Sequence, residues 1–454
     1  MNRRVWIKKP LDILAVNAEN GIVIQGSKIV ELVPKGATPA LEVDEIYDAS
    51  NSVVLPGLIN THHHFYQTLT RAYPTALNKE LFPWLTSLYT VWEHLDSEMI
   101  YQSTKLALVE LLLSGCTTAS DHHYVFSDST KDAIDIQMSV AKELGMRVVL
   151  TRGSMSLGQK DGGLPPQSVV QDEQVILDDS IRLIKEYHQT NDGAMTQLAL
   201  APCSPFSVST ELMKQSAKLA KEYDVCLHTH LAETIDEEEF CLKKFGMRTV
   251  DYLEHTNWLH DKTWLAHGIH FNEEEIQRLG KANVGICHCP TSNMMLASGI
   301  CKTLELEKAG AIIGLGVDGS ASNDGSNMIQ EVRMAMYLQR LQYGSSKITH
   351  QKAYEWATKG SASLLRRDDI GKIAVGKEAD IALFTLDELR FSGSHDPLAA
   401  LLLCGAQKAN RVMIAGKWKV IDGEIVNLDT EKLQFEHTNQ AKKLYKKANS
   451  EGNK

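Results

Sequence analysis

Val53-Val54-Leu55-Pro56-Gly57-Leu58-Ile59-Asn60-Thr61-His62-His63-His64-Phe65-Tyr66-Gln67 is an apolar run, interrupted at Pro56 and Gly57, that ends in three consecutive histidines. It reads as a buried strand whose end carries chemistry. If the backbone stays extended, side chains alternate between faces, so His62 and His64 point one way and His63 the other. Two imidazoles on one face suit a divalent ion such as Zn²⁺ or Fe²⁺, which takes imidazole nitrogens at roughly 2.0–2.1 Å. A bare His-x-His fits a surface turn equally well. The apolar lead-in favours burial, and the decision rests on whether other strand ends supply more ligands.

Seven further runs have the same form: Thr117–His123, Arg147–Arg152, Gln197–Pro202, Val225–His230, Thr263–His267, Val284–Cys289 and Ile312–Asp318. Between most of them lie helical patterns, among them Met99–Leu113, Ser129–Leu144, Asp178–His188, Ser209–Tyr223, Met247–Leu253 and Glu273–Lys281. Eight strands with intervening helices predict an α/β fold, a (β/α)₈ TIM-like barrel. In seven of the eight runs a His, Asp or Arg stands at the carboxyl end, where barrel enzymes gather their reacting groups. His62, His64, His230, His267 and Asp318 then converge on one mouth and offer a metal three or four imidazoles and a carboxylate.

The flanks have a different texture. Short strands punctuated by Gly and Asn fill residues 3–54, with Gln25-Gly26-Ser27-Lys28 as a hairpin turn, and the texture returns over 371–425. Neither flank holds a core alone, which predicts one small β-sandwich domain made from both ends: 1–54 and 371–425 around a barrel of 55–370. The Lys-rich tail, 426–454, reads as a surface helix that frays toward Lys454. A net charge of −10 and a pI near 5.9 argue against nucleic acid. The chain shows no signal-peptide core and no apolar run of membrane-spanning length. Its eight cysteines form no Cys-x-x-Cys pair and read as free thiols in a reducing cytoplasm. Cys287 and Cys289 share a face opposite His288, so core packing is their expected role.

Four motifs together resemble the amidohydrolase superfamily, in its branch of aromatic-base and triazine deaminases. They are Pro56-Gly57-Leu58-Ile59-Asn60-Thr61-His62-His63-His64, His230-Leu231-Ala232-Glu233-Thr234, Ala266-His267-Gly268 and Gly316-Val317-Asp318-Gly319-Ser320. The runs His62–Arg71, Ala201-Pro202-Cys203-Ser204-Pro205-Phe206, Leu402-Leu403-Cys404-Gly405 and Arg390–Pro397 are most similar to the 8-oxoguanine deaminase subgroup. The resemblance implies one divalent metal ion per chain, zinc with iron as the alternative, on His62, His64, His230 and Asp318. It also implies a small purine substrate and a homo-oligomer, dimer or larger. The expected reaction is 8-oxoguanine plus water to urate plus ammonia. Guanine, isoxanthopterin or a hydroxytriazine are the rival substrates, and a non-catalytic barrel scaffold is the rival of another class.

The same resemblance makes Glu233 the proton shuttle to the substrate ring, His267 the group that hydrogen-bonds the attacking water or an extra ligand, and Gln67 a contact to the base. Asp318 takes a proton from the water and returns it to the leaving amine. Many relatives carry a histidine where this chain has Cys203, so the pocket presents a neutral thiol in place of an imidazole. Three residues keep two readings each. Trp84 is a core anchor or a stacking wall for the base. His123, with His122, lines the pocket or is a satisfied buried histidine. Arg152 reads a substrate carbonyl or pairs with an acid such as Asp121.

Overall fold

The structure is a computed structural model and describes residues 3–450. Eight parallel strands stand in sequence order around one sheet: β1 (Leu58–Asn60), β2 (Cys116–His123), β3 (Arg147–Ser154), β4 (Thr196–Pro202), β5 (Leu227–Leu231), β6 (Thr263–His267), β7 (Gly285–His288) and β8 (Ile312–Leu315). Thr61 N–H donates to Leu315 O (2.9 Å) and Asp318 N–H to His62 O (3.1 Å), which joins the last strand to the first. β2, β3 and β5 are buried at every position, as expected of strands covered by helices outside and by packed side chains inside.

The helices between them start and stop where local chemistry directs. Ser209 caps Thr210–Tyr223 by accepting the Leu212 N–H, and Asp224 ends it in the left-handed region. Asn272 and Glu275 form a reciprocal capping box on Glu273–Lys281. The acidic run after Glu233 opens a helix, Ile235–Phe245, where three acidic residues in the first turn complement the helix dipole.

The opening run divides at Gly57. Ser52–Pro56 pairs antiparallel with Ile381–Thr385 and parallel with Asp12–Ile13, outside the barrel, so the first barrel strand begins two residues later, at Leu58. A β-carbon on Gly57 would stand 2.0 Å from Thr117 Oγ1, which explains why the crossing point has none.

The terminal segments form two sheets. One orders Lys28–Leu32, Gly21–Gln25, Arg4–Lys8 and Glu45–Asp48; the other orders Glu424–Ile425, Lys417–Ile421, Arg411–Ile414, Ile381–Thr385, Ser52–Pro56 and Asp12–Ile13. Ile7, Ile22, Ile24, Val54, Ile381 and Met413 share the core associated with them. This unit is tied to the barrel by Arg147, fully buried at the start of β3, which pairs with Asp380 (Nε to Oδ2, 2.9 Å) and donates to the carbonyls of Gly193 and Ala194 (2.8 and 2.6 Å).

The tail helix, Thr430–Ser450, does more than cover surface. It buries Leu433, His437 and Leu444, its Lys443 and Lys447 reach Asp96 at 2.9 Å, and its His437 Nε2 lies 3.0 Å from Thr68 Oγ1, directly beyond Gln67. The expected fraying toward Lys454 falls outside the described residues. Among the described residues no helix is long and apolar enough to cross a membrane.

Candidate active site

The barrel brings the four expected ligand residues together at its carboxyl mouth. His62 Nε2 lies 3.2 Å from Asp318 Oδ1, His64 Nε2 3.3 Å from the same oxygen, and His230 Nε2 3.2 Å from His64 Nε2. The alternation read from the sequence persists just past the end of β1. His63 turns away, its Nε2 3.0 Å from Ser326 Oγ and its ring against Phe65.

Each ligand ring is held from behind through Nδ1. His64 Nδ1–H donates to His122 O (2.7 Å) and His230 Nδ1–H to Cys203 O (2.7 Å). His62 Nδ1 meets His228 Nε2 at 2.8 Å, and His228 Nδ1 meets Trp264 O at 3.0 Å. A carbonyl accepts only, so His228 must donate to Trp264 and accept from His62. All three Nε2 atoms are thereby left as lone pairs, those of His62 and His64 facing Asp318 Oδ1 and that of His230 facing His64 Nε2. Burial holds His62 well below the ordinary imidazole pKa and His230 at about 3, so these rings are neutral donors. Two lone pairs 3.2 Å apart repel unless a cation lies between them, and His62 Nε2 is buried without a hydrogen bond. Tetrahedral zinc with bonds of roughly 2.0–2.1 Å spaces its ligand atoms about 3.3 Å apart. The donor set therefore fits such an ion.

Asp318 adopts a left-handed backbone (φ +63°), and three donors hold its carboxylate. Gly319 N–H serves Oδ1 (2.7 Å), while Ser292 and Ser322 hydroxyls serve Oδ2 (2.6 and 3.0 Å). His267 donates Nδ1–H to Asn293 Oδ1 (2.9 Å) and presents Nε2 to Glu233 Oε2 (3.5 Å) and Asp318 Oδ2 (3.9 Å). Glu233 follows Ala232, which is left-handed at φ +54°. The turn is pinned by buried Glu237, whose two oxygens accept the N–H groups of Ala232 and Glu233 at 3.0 Å each. Burial raises the Glu233 pKa, which favours a carboxyl able to donate.

A cavity opens over these groups. Gln67, Cys203, Glu233 and Trp84 line it with His64, His230, His267 and Asp318. Gln67 Oε1 accepts the Ala321 N–H (3.3 Å), and its Nε2 is buried with no partner. Trp84 anchors its indole N–H on Ala321 O (3.2 Å) and is among the residues that line the cavity. The Cys203 thiol is pushed up to about 12 by burial and is neutral.

Two expected contacts lie elsewhere. His123 is fully buried between Tyr66 and Phe126 (ring centroids 5.3 and 4.9 Å) and does not line the cavity; Tyr124, one residue on, does. Strand alternation sends the two side chains to opposite faces. Arg152 pairs with Asp179 (2.6 Å), donates to Gln171 (3.0 Å) and covers the Phe126 ring (3.9 Å), so its charge is spent in the wall of the barrel. Asp121, its suggested partner, instead accepts the Phe65 N–H (2.6 Å) and Gln137 (2.8 Å). Cys287 and Cys289 are buried in the core with sulfurs 3.7 Å apart, and His288 meets Gln339.

Sequence reasoning passed over several groups that hold this site. His228 stands one alternation step before His230, which is the signal that could have found it. Ser292 and Asn293 lie in the short helix Pro290–Met295 after β7 and Ser322 in a turn after β8, where polar residues are too common to single out.

The chain is 62% identical over 444 residues to the 8-oxoguanine deaminase of Pseudomonas aeruginosa, covering 97% of this chain and 99% of that one. It is 32% identical to an isoxanthopterin deaminase from an unknown prokaryotic organism, over 88% of this chain and 87% of that one. The zinc complex of atrazine chlorohydrolase from Arthrobacter aurescens TC1 superposes with a TM-score of 0.91 at 29% identity, covering 96% of this chain and all of that one. Residues 53–419 match the model of the amidohydrolase family, and the chain belongs to that family.

Proposed function

We propose that this protein hydrolyses 8-oxoguanine to urate and ammonia, with one zinc ion held by His62, His64, His230 and Asp318. The likeness to the Pseudomonas aeruginosa deaminase along almost the whole chain carries the choice of substrate.

When bound, the ion supplies the Lewis acidity that makes water a nucleophile near neutral pH. The chain's own groups handle the protons. Asp318 Oδ2, steadied by Ser292 and Ser322, takes one proton from the attacking water. Glu233, whose protonated form burial favours, gives its proton to the ring nitrogen beside the carbon under attack. The water oxygen adds to the carbon that bears the amine; the C–N bond then breaks, the proton on Asp318 leaves with the amine as ammonia, and the proton of the added hydroxyl returns to Glu233 as the carbonyl forms. His267, fixed by Asn293, holds the water between the two carboxyl groups. Gln67 donates its free N–H to a base carbonyl. Leu81, Trp84, Leu85, Phe206 and Leu296 grip the flat faces and exclude bulk water.

Ammonia release with 8-oxoguanine, guanine, isoxanthopterin and a hydroxytriazine tests this reading. 8-Oxoguanine should give the highest kcat/KM; a higher value for another base would overturn it.

A further inference from the structure

We propose that Tyr89 reads the oxygen on the five-membered ring of the substrate, the atom that separates an 8-oxopurine from its parent. The proposal rests on the substrate reading above and adds a residue to it. Tyr89 lines the cavity at 1% exposure, and its hydroxyl is buried without a partner in the protein. A buried phenol left unpaired loses its hydration with nothing in return, so its retention calls for a partner from outside.

Its place in the fold suits that role. Tyr89 belongs to the helix Leu81–Trp92 that covers the mouth, and its ring is set by Trp92 (6.0 Å), itself packed on Tyr66 (5.2 Å) and Trp84 (5.6 Å). The tyrosines that neighbour the ligands are others: Tyr124 lies 5.1 and 6.2 Å from His64 and His230, and Tyr66 lies 6.2 Å from His64. Gln67, the other lining residue with an unpartnered polar atom, sits against Gly319 beside Asp318 and serves the reacting end. Tyr89 lies near Cys203 and Tyr66. A base whose amine-bearing carbon faces Asp318 and Glu233 sends its five-membered ring away from them, toward this wall.

The chemistry matches. An 8-oxopurine offers a carbonyl flanked by N–H groups, and a phenol can donate to the first and accept from the second. The parent purine offers a C–H at that point, which would leave the hydroxyl unpaired. Sites built around such a hydrogen bond reject the analogue that lacks it.

The test is Tyr89→Phe, which keeps the ring and removes only the hydroxyl. The value of kcat/KM for 8-oxoguanine should fall about tenfold or more, and that for guanine should stay within about twofold. Inhibition by urate should weaken in proportion while inhibition by xanthine, which lacks the same oxygen, does not. An equal fall on both substrates, or an unchanged ratio in a variant of full metal content, would overturn the role of Tyr89 and leave the substrate reading standing. An unsubstituted protein that does not prefer 8-oxoguanine to guanine would overturn both.

Discussion

His228 Nε2 accepts the Nδ1–H of His62 at 2.8 Å, so a neutral imidazole, not a carboxylate, orients one of the candidate metal ligands. The chain of donors runs from His62 through His228 to Trp264 O and is closed by the stacking of His228 on Trp264 (4.4 Å, 13°). Loss of such a supporting partner usually lowers metal affinity about 10- to 100-fold. His228→Leu should show that loss in chelator competition, and His228→Gln, which keeps an acceptor, should lose less. Equal affinity in His228→Leu and the unsubstituted protein would remove His228 from this role.

Removing a ligand and removing a proton carrier should separate cleanly. His230→Ala should lose metal and turnover together. Glu233→Gln should keep the metal, because Glu233 is held by Glu237 and faces His267, and lose roughly 10²–10⁴ in kcat. Metal analysis beside steady-state kinetics checks both, and comparable metal loss in the two variants would place Glu233 among the ligands.

The contrast between these residues and the misplaced ones shows what a sequence carries. The strand ends were legible because a carboxyl-end location is a local property that His62, His64, His230 and Asp318 share, and period-two alternation separates His62 and His64 from His63. Arg152 shared that location, yet its partner Asp179 comes from a helix 27 residues further on and turns the guanidinium outward. Glu237 was hidden in an acidic run whose composition suggests solvent. Tyr89 and Trp84 lie on a helix over the mouth, and only the packing on Trp92 shows which of its faces looks in. The Pro56-Gly57 break was visible, but that the chain changes sheets there depends on Ile381–Thr385, more than three hundred residues away.

That long-range pairing makes the sandwich and barrel energetically dependent on Arg147. Arg147→Met would leave Asp380 and Glu378, each with a side chain 1% exposed, without their guanidinium. Breaking a buried pair from one side costs about 3–5 kcal/mol. Denaturant unfolding should show a loss of that size, and adding Asp380→Asn should return part of it by removing one unpaired charge. A loss below about 1 kcal/mol in the single variant would mean that the link is solvated.

His437 should make stability pH-dependent. Burial, with Arg71 adding to it, holds this imidazole at about 4, against about 6.5 in an unfolded chain. The native state therefore favours the neutral ring, and the unfolded state binds a proton first as pH falls. The contribution is fully present above about pH 6.5, declines as pH drops toward 4, and amounts to on the order of 3 kcal/mol. His437→Gln can still bond the Thr68 hydroxyl but cannot titrate. Its melting temperature should fall less than that of the unsubstituted protein between pH 7 and pH 4.5, and parallel profiles would assign the acid sensitivity to other groups. Because Thr68 adjoins Gln67, protonation of His437 should also loosen the turn that carries the base contact. KM should then rise over the same interval in the unsubstituted protein and less in His437→Gln.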